Sequence, residues 1–179
     1  MLGEKFLWAD FFAKKSEADV TVVSTLKANR LFKRLSPREI NYVAKVVHMR
    51  HYEPNDQIFA QYEKGLGMYM IAKGSVEIRL RAHNSDKSDP ETMVADLGEG
   101  SFFGELALID ENDRRTASAY AKGPTTLVGF FKPDLMEIIE RKPDMGVKIL
   151  LELTKVLGKR LAETIEQIGK DRGSKGTKP

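Results

Sequence analysis

Residues 102–121 read FFGELALIDENDRRTASAYA. Two aromatics lead into Gly104 and Glu105, a short apolar run follows, and an acidic loop precedes Arg114, Arg115 and a Thr-Ala-Ser. A glycine lets the backbone approach a ligand closely, and amides at the start of the ELAL turn can donate to an anion. An ionised carboxylate only accepts, so Glu105 suits a hydroxyl donor such as a ribose 2′-OH. A guanidinium offers a planar fork to two phosphate oxygens. Thr116 and Ser118 add hydroxyls on the same strand. One glutamate for a sugar, one arginine for a phosphate and amides between them match a nucleotide whose phosphate lies close to its ribose. Taken singly, the Arg-Arg pair reads as solvated surface and the glutamate as a surface charge; only the pattern makes a site.

Working outward, 179 residues suffice for one domain with a real core and a helical appendage. The chain is 41% hydrophobic and 31% charged, an ordinary globular balance. It has no cysteine, which excludes disulfides and thiolate metal sites and fits a reducing cytoplasm. A net charge of +3 does not announce a nucleic-acid binder. No apolar run approaches the roughly 20 residues of a membrane span, and Glu4 and Asp10 interrupt what would be a signal core. A cytoplasmic location is the expectation.

The chain divides into four parts. Residues 1–48 read as helical, with Leu2, Phe6, Leu7, Trp8, Phe11 and Phe12 on one face of an amphipathic segment that packs on the domain or a partner subunit, with binding to a membrane surface as the lesser alternative. LSPREINYVAKVVHMR opens with Ser36 as N-cap, Pro37 at N1 and Glu39 in the capping-box position, and Ile40, Val43, Ala44, Val46 and Val47 supply its buried side. From residue 49 to 132, short β-rich runs alternate with turns: DQIFAQ, MYMIAKG, SVEIRLRA, ETMVADLGEG, TASAYAKG and TTLVGFF. In SVEIRLRA, Val76, Ile78 and Leu80 face one way and Glu77, Arg79 and Arg81 the other; HNSDKSDP at 83–90 is a loop. Regularly spaced short strands predict a β-sandwich or roll. Over 133–170 the chain returns to helix: a short one from Pro133, and a long one from Pro143 to about Gly169 with apolar residues at three- and four-residue steps. The end, 171–179, is Gly/Lys-rich and reads as a disordered tail.

FGELAL, a six-residue spacer and RTASAYA resemble the phosphate-binding cassette of cyclic nucleotide-binding domains, the family of the catabolite gene activator and of the cyclic-nucleotide-dependent kinases and channels. The resemblance runs from about residue 30 to 170 and includes MYMIAKGSVEI and LGEGSFFGE. It implies an α+β fold: a jelly-roll-like β-roll (a double-stranded β-helix) with N-terminal helices and a long C-terminal helix. It implies cAMP or cGMP as ligand, held by Phe103, Gly104, Glu105, Leu106, Ala107, Arg114, Arg115, Thr116 and Ala117. Glu105 takes the ribose 2′-hydroxyl, Gly104 and the amides of Leu106 and Ala107 line the phosphate, and Arg115 pairs with it. Arg114 is the neighbouring candidate; loop length and the following Thr-Ala favour Arg115 and leave Arg114 facing solvent. Alignment of the long helix adds Arg160 and Thr164 at positions that reach the base. One departure is Tyr62, where the family often has glycine; Gly65 is the expected substitute for the tight turn.

In the activator family a DNA-reading domain follows the long helix, and about ten residues follow it here, too few for a helix-turn-helix. The expectation is therefore a stand-alone, non-enzymatic sensor without a metal or cofactor, acting through an unidentified effector protein or its own dimer. Leu150, Leu153, Leu157 and Leu161 are the expected dimer seam, and Lys132–Pro133 or Arg141–Pro143 the expected hinge. Two alternatives come from other classes. A metal-dependent cupin enzyme needs converging ligands, which His48, His51 and His83 do not supply by their spacing. A nucleic-acid-associated regulator would use the basic tail with Lys170, Arg172, Lys175 and Lys178, which reads more simply as a solvated end.

Overall fold

Alternation decides the layers. On the strand Gly67–Lys73, Met68 and Met70 are buried on one face, while Tyr69 and Ile71 pack on the other. The strand Thr125–Phe131 repeats this, with Val128 and Phe130 against Leu127. A strand buried on both faces needs a layer on each side. Helices cover one face through Leu26, Leu31, Phe32, Ile40, Leu135, Ile138 and Ile149, with Phe32 edge-on to Phe130 at 5.6 Å. A second sheet covers the other through Phe59, Val76 and Ala119.

The computed structural model describes residues 22–82, 90–109 and 114–175. In chain order these are helix α1 over 22–28, a short 3-10 turn Arg30–Phe32, α2 (Pro37–Val43), β1 (His48–Tyr52), β2 (Gln57–Phe59), β3 (Gly67–Lys73), β4 (Val76–Leu80), β5 (Thr92–Leu97), β6 (Phe102–Phe103), a 3-10 turn Glu105–Leu108, β7 (Ser118–Ala121), β8 (Thr125–Phe131), α3 (Lys132–Arg141) and α4 (Pro143–Lys175). The strands form two antiparallel four-stranded sheets, ordered β1-β8-β3-β6 and β2-β7-β4-β5. This is the expected α+β β-roll with a long C-terminal helix.

Several boundaries differ from the sequence reading. The expected amphipathic segment at 1–20, the loop residues 83–89, spacer residues 110–113 and the last four residues lie outside the described residues. Helix α2 stops at Val43, and HMRHY forms β1 instead of ending a helix. Val46 and Val47 still pack against the core, but from the connection. Leu80, the last residue of β4, is exposed although Val76 at its start is buried. Helix α4 continues to Lys175, past the expected end at Gly169, since a lone glycine costs a helix only about 1 kcal/mol.

The first half of α4 is buried in the core, and the stretch beyond it is exposed. Met145, Ile149, Leu153 and Val156 are buried in the helix-side core. Glu152 is fully enclosed and bracketed by Lys33 at 3.0 Å and Lys155 at 2.9 Å. Lys148 reaches Glu39 at 2.7 Å. Glu39 also closes the capping box with Ser36, accepting from its backbone amide at 2.7 Å. Residues 158–166 are exposed.

The turn that the family usually makes with glycine is made by Tyr62 itself, at φ +72°. Gly65 does not supply it. Its own reason to be glycine is space: a Cβ there would lie 2.8 Å from the Ala107 Cβ and 3.1 Å from the Arg115 Nε. Two backbone anchors hold Tyr62 in the left-handed region, its amide donating to the Arg115 carbonyl at 2.8 Å and its carbonyl accepting from Arg114 Nη1 at 2.8 Å.

Two outcomes follow. The hydrogen bond from Lys148, then that from the Ser36 amide, hold the Glu39 carboxyl below the ordinary carboxylate range. Its contribution is therefore complete above the unfolded carboxylate pKa and fades as pH falls through the folded value. Glu39→Gln should cost about 1 kcal/mol at pH 7, and chemical denaturation should find the two proteins converging in acid. At Tyr62, glycine should leave stability within about 1 kcal/mol of the parent, whereas valine should cost about 1–2 kcal/mol, because a β-branched side chain is strained at positive φ. Parallel urea melts compare them.

Candidate functional site

Sheet pairing sets β6 against β3 with Tyr69 opposite Phe103, and the chain then turns sharply at Gly104, φ +75°. A Cβ on Gly104 would meet Arg115 Nη1 at 2.5 Å, so this glycine serves both conformation and space. The 3-10 turn follows directly and carries Glu105 inward, 5% exposed. From the other side, the segment leading into β7 carries Arg115 inward, 6% exposed. The paired backbone of 62–64 fixes it there, the Arg115 amide donating to the Glu63 carbonyl at 2.9 Å.

The Arg115 guanidinium is deeply buried, and among the described residues no carboxylate is hydrogen-bonded to it. Its Nη1 donates to the carbonyls of Gly67 at 2.7 Å and Gly104 at 3.2 Å. Its plane lies 4.0 Å over the Phe59 ring. Its Nε is buried with no acceptor. Burial holds its pKa below the ordinary arginine value, against the opposing pull of Tyr69, Glu63 and Glu105. A buried cation that donates to carbonyl dipoles is a strong binding point for an anion.

Glu105 is paired across to α4. Its Oε1 accepts from Arg160 Nη1 at 2.6 Å, and Arg160 Nη2 donates to the Phe102 carbonyl at 3.1 Å. The Arg160 guanidinium also lies 5.0 Å from the Phe102 ring centroid. Arg160 thus ties the exposed half of the long helix to the loop that carries the glutamate.

These groups border one cavity of about 360 Å³. Phe103, Gly104, Glu105, Leu106 and Ala107 form one side. Arg114, Arg115, Thr116 and Ala117 form the opposite side, and Arg160 contributes from α4. Ten of the eleven expected residues therefore meet. Thr164 does not border the cavity: it is exposed, and its hydroxyl donates back to the Arg160 carbonyl at 2.8 Å. Arg114 is exposed, as expected. Ser118 is turned away, accepting from the Gln61 amide at 3.0 Å and donating to Glu91 at 2.7 Å. The alternation of β7 makes this unavoidable, because Ala119 next to it faces the roll interior.

Sequence reasoning missed the apolar wall of Ile78, Ala95, Leu97 and Phe102, and the Phe59 platform under Arg115. Ile78 was legible as an inward position of β4, but nothing in QIF marks Phe59 as a guanidinium platform. His48 stacks on Phe131 at 5.3 Å and His51 bonds Thr126 at 3.1 Å, so each has a local partner. Among the described residues no group of three or more His, Cys, Asp or Glu could hold a metal ion, and no helix is long and apolar enough to cross a membrane.

Comparison with known proteins shows the family and the fold. The profile of the cyclic nucleotide-binding domain matches residues 49–142, just over half of the chain. The Cyclic AMP receptor protein of Thermus thermophilus is 33% identical over 138 residues, covering 77% of this chain and 60% of that protein. A cAMP-dependent protein kinase type II regulatory subunit of Drosophila melanogaster is 32% identical over 117 residues, 65% of this chain and 28% of its own. Among solved structures, the Thermus thermophilus catabolite activator protein superposes with a TM-score of 0.68 at 30% identity, covering 79% of this chain and 62% of that one. A cyclic nucleotide-binding domain from Methylobacillus flagellatus gives 0.71 at 21% identity, covering 87% and 84%, and shows the shared fold. The chain spans about 60% or less of the length of these curated relatives. With its roll, its cassette and this profile match together, the chain belongs to the cyclic nucleotide-binding domain family.

Proposed function

We propose that this chain is a non-enzymatic sensor that binds a cyclic nucleotide in the cavity between Glu105 and Arg115 and passes the signal on through α4. The observation that carries the reading is the buried guanidinium of Arg115, left with an unpaired Nε opposite a buried carboxylate across one small cavity. A cyclic phosphate supplies that guanidinium with anionic acceptors, and the ribose 2′-OH donates to Glu105. Thr116 lies beside the phosphate position. The relatives named above are named for cAMP, and cAMP is the preferred ligand. The base would rest on Ile78, Ala95 and Leu97; Thr164 lends no support to an adenine contact in this conformation.

The output path rests on the Glu105–Arg160 pair and on the burial pattern of α4. Burial up to Val156 and exposure beyond it make the distal half the moving part, in preference to a hinge at Lys132–Pro133 or Arg141–Pro143. A homodimer through α4 is part of the same reading, with a seam different from the expected one. Leu153 is buried in the protomer and cannot serve, and Leu150 and Leu157 pack against the core. The exposed apolar stripe is Val147 (55%), Leu151 (45%), Leu161 (62%) and Ile165 (61%). With Thr154 and Gly158 it runs in alternating steps of four and three, the spacing of a two-helix seam. An effector protein remains part of this proposal, read from the module's want of chemistry of its own.

Calorimetric titration with cAMP and cGMP tests the reading, and failure to bind either one rejects it. Arg115→Ala should weaken cAMP binding by roughly 2–4 kcal/mol with the fold retained by circular dichroism. Glu105→Gln should cost less, and 2′-deoxy-cAMP should be nearly indifferent to it. Equal losses for the two ligands would reassign Glu105 to loop support through Arg160. For the seam, light scattering should find a dimer that Leu161→Glu with Ile165→Glu converts to a folded monomer. A parent protein that is already monomeric at micromolar concentration removes the dimer.

A further inference from the structure

The elements that open the helix layer are charged in one sense. Residues 22–50 carry Lys27, Arg30, Lys33, Arg34, Arg38, Lys45 and Arg50 against Glu39 as the one carboxylate. Residues 51–131 carry thirteen carboxylates against eight cations. All seven cations of the first stretch are exposed, while Leu26, Leu31, Phe32, Ile40 and Val43 among them are buried in the core. Lys33 is paired with Glu152, and Glu39 is taken by Lys148. Among the described residues, Lys27, Arg30, Arg34, Arg38 and Lys45 make no ion pair. One such cation is ordinary surface; five between 27 and 45, with no carboxylate to offset them, make a positive field.

The chain that leads into α1 supplies the other half of the observation. Leu2, Phe6, Leu7, Trp8, Phe11 and Phe12 fall within residues 2–12, and neither the nucleotide cavity nor the α4 stripe makes use of them. Their own charged neighbours, Lys5, Lys14 and Lys15 against Glu4 and Asp10, are close to balance. Val22, at the start of α1, is ten residues beyond Phe12, and extended chain of that length spans at most about 35 Å. The apolar run therefore cannot stray far from the basic elements.

We propose that this end of the chain binds the surface of an anionic bilayer, the aromatic run entering the boundary between headgroups and acyl chains and the cations of residues 27–45 facing the phosphates. Tryptophan and phenylalanine side chains settle at that boundary. Exposed lysines and arginines are drawn to anionic headgroups within a Debye length. Each signal alone is weak, and the two add on one surface. A duplex nucleic acid answers the cations but leaves the apolar run in water, so lipid is the partner that uses both. The same surface repels the acidic roll, which turns the helix layer toward the lipid. The proposal does not depend on the nucleotide reading.

The test is co-sedimentation of the full chain with vesicles of phosphatidylcholine, alone or with about 30% phosphatidylserine. Trp8 is the single tryptophan of the chain, so its emission reports on the apolar run directly. Binding to the anionic vesicles with a blue shift of Trp8 is expected, reversed as salt is raised from about 0.1 to about 0.5 M, and no binding to the neutral ones. The exposed set Arg30→Ala, Arg34→Ala and Arg38→Ala, shown to be folded by circular dichroism, should bind at least about tenfold more weakly. Phe11→Ser with Phe12→Ser should lose about as much, with Trp8 kept as the reporter. No binding to the anionic vesicles, equal binding to the neutral ones, or either variant binding as tightly as the parent overturns the proposal. So does a Trp8 emission that vesicles do not move, which would assign the run to packing on the domain or a partner subunit. Tighter binding to a DNA duplex than to the anionic vesicles in the same buffer would assign the basic stretch to nucleic acid instead.

Discussion

The guanidinium of Arg115 sits where a protein seldom leaves a cation, packed on Phe59 and fed by two backbone carbonyls. Much of the neighbouring sequence follows from making room for it. Gly104 must turn at positive φ and must lack a Cβ, because the Arg115 Nη1 occupies that space. Gly65 is bare because the Ala107 Cβ, and then the Nε and Cζ of Arg115, lie against it. Tyr62 takes a conformation unfavourable for its type, and its amide and carbonyl are bonded to Arg115 and Arg114. Three segments far apart in sequence are thus shaped around one side chain. Such an arrangement costs desolvation that carbonyl dipoles recover only in part. A cation held at that cost is the feature on which the anion site proposed above rests.

Sheet β1-β8-β3-β6 gives this arrangement its rigidity. Because it is covered on both faces, its residues at Met68, Met70, Val128 and Phe130 lock to the helices, while Tyr69, Ile71 and Leu127 lock to the roll. The Gly67 carbonyl that holds Arg115 belongs to its β3 strand, and the lead-in to Gly104 belongs to its β6 strand. The same sheet carries α2, α3 and the proximal half of α4 on its back. The cavity and the helix layer are therefore two sides of one structure.

What could be read from the sequence was what is local in the chain. FGELAL and RTASAYA are short, and ten of the eleven residues expected from them and from the long helix do meet in one cavity. The capping box at Ser36 and Glu39 was legible for the same reason, being a four-residue pattern with its own hydrogen bonds. The errors lie where direction depends on tertiary context. HMRHY has no apolar alternation, because His48 and Arg50 face a solvent-accessible part of the roll, so β1 was absorbed into the helix before it. Ser118 was placed in the site by proximity, although strand alternation turns it outward toward Glu91. The long helix has apolar residues on more than half its circumference, and nothing in the pattern distinguishes Leu153, 1% exposed, from Leu151. Only the position of the core separates a buried face from one open to a partner.

On the proposed reading, the Glu105–Arg160 pair would decide the direction in which a ligand acts. Arg160 takes Oε1 alone, and an ionised carboxylate has about four acceptor positions. A ribose hydroxyl can therefore add to the pair without displacing it. A ligand that competed for Oε1 would strip Glu105 of its cation and leave a buried charge, a cost typically of several kcal/mol. Addition is the cheaper course. On the proposed reading it would also hold the glutamate in the orientation that Arg160 requires, so that occupancy of the cavity would favour the conformation in which Arg160 ties down α4. A ligand shifts a two-state helix only by its difference in affinity for the two states. Here that difference has a physical source, since with α4 swung away Glu105 would meet the ligand without Arg160, and the cavity would lose the one side that α4 supplies.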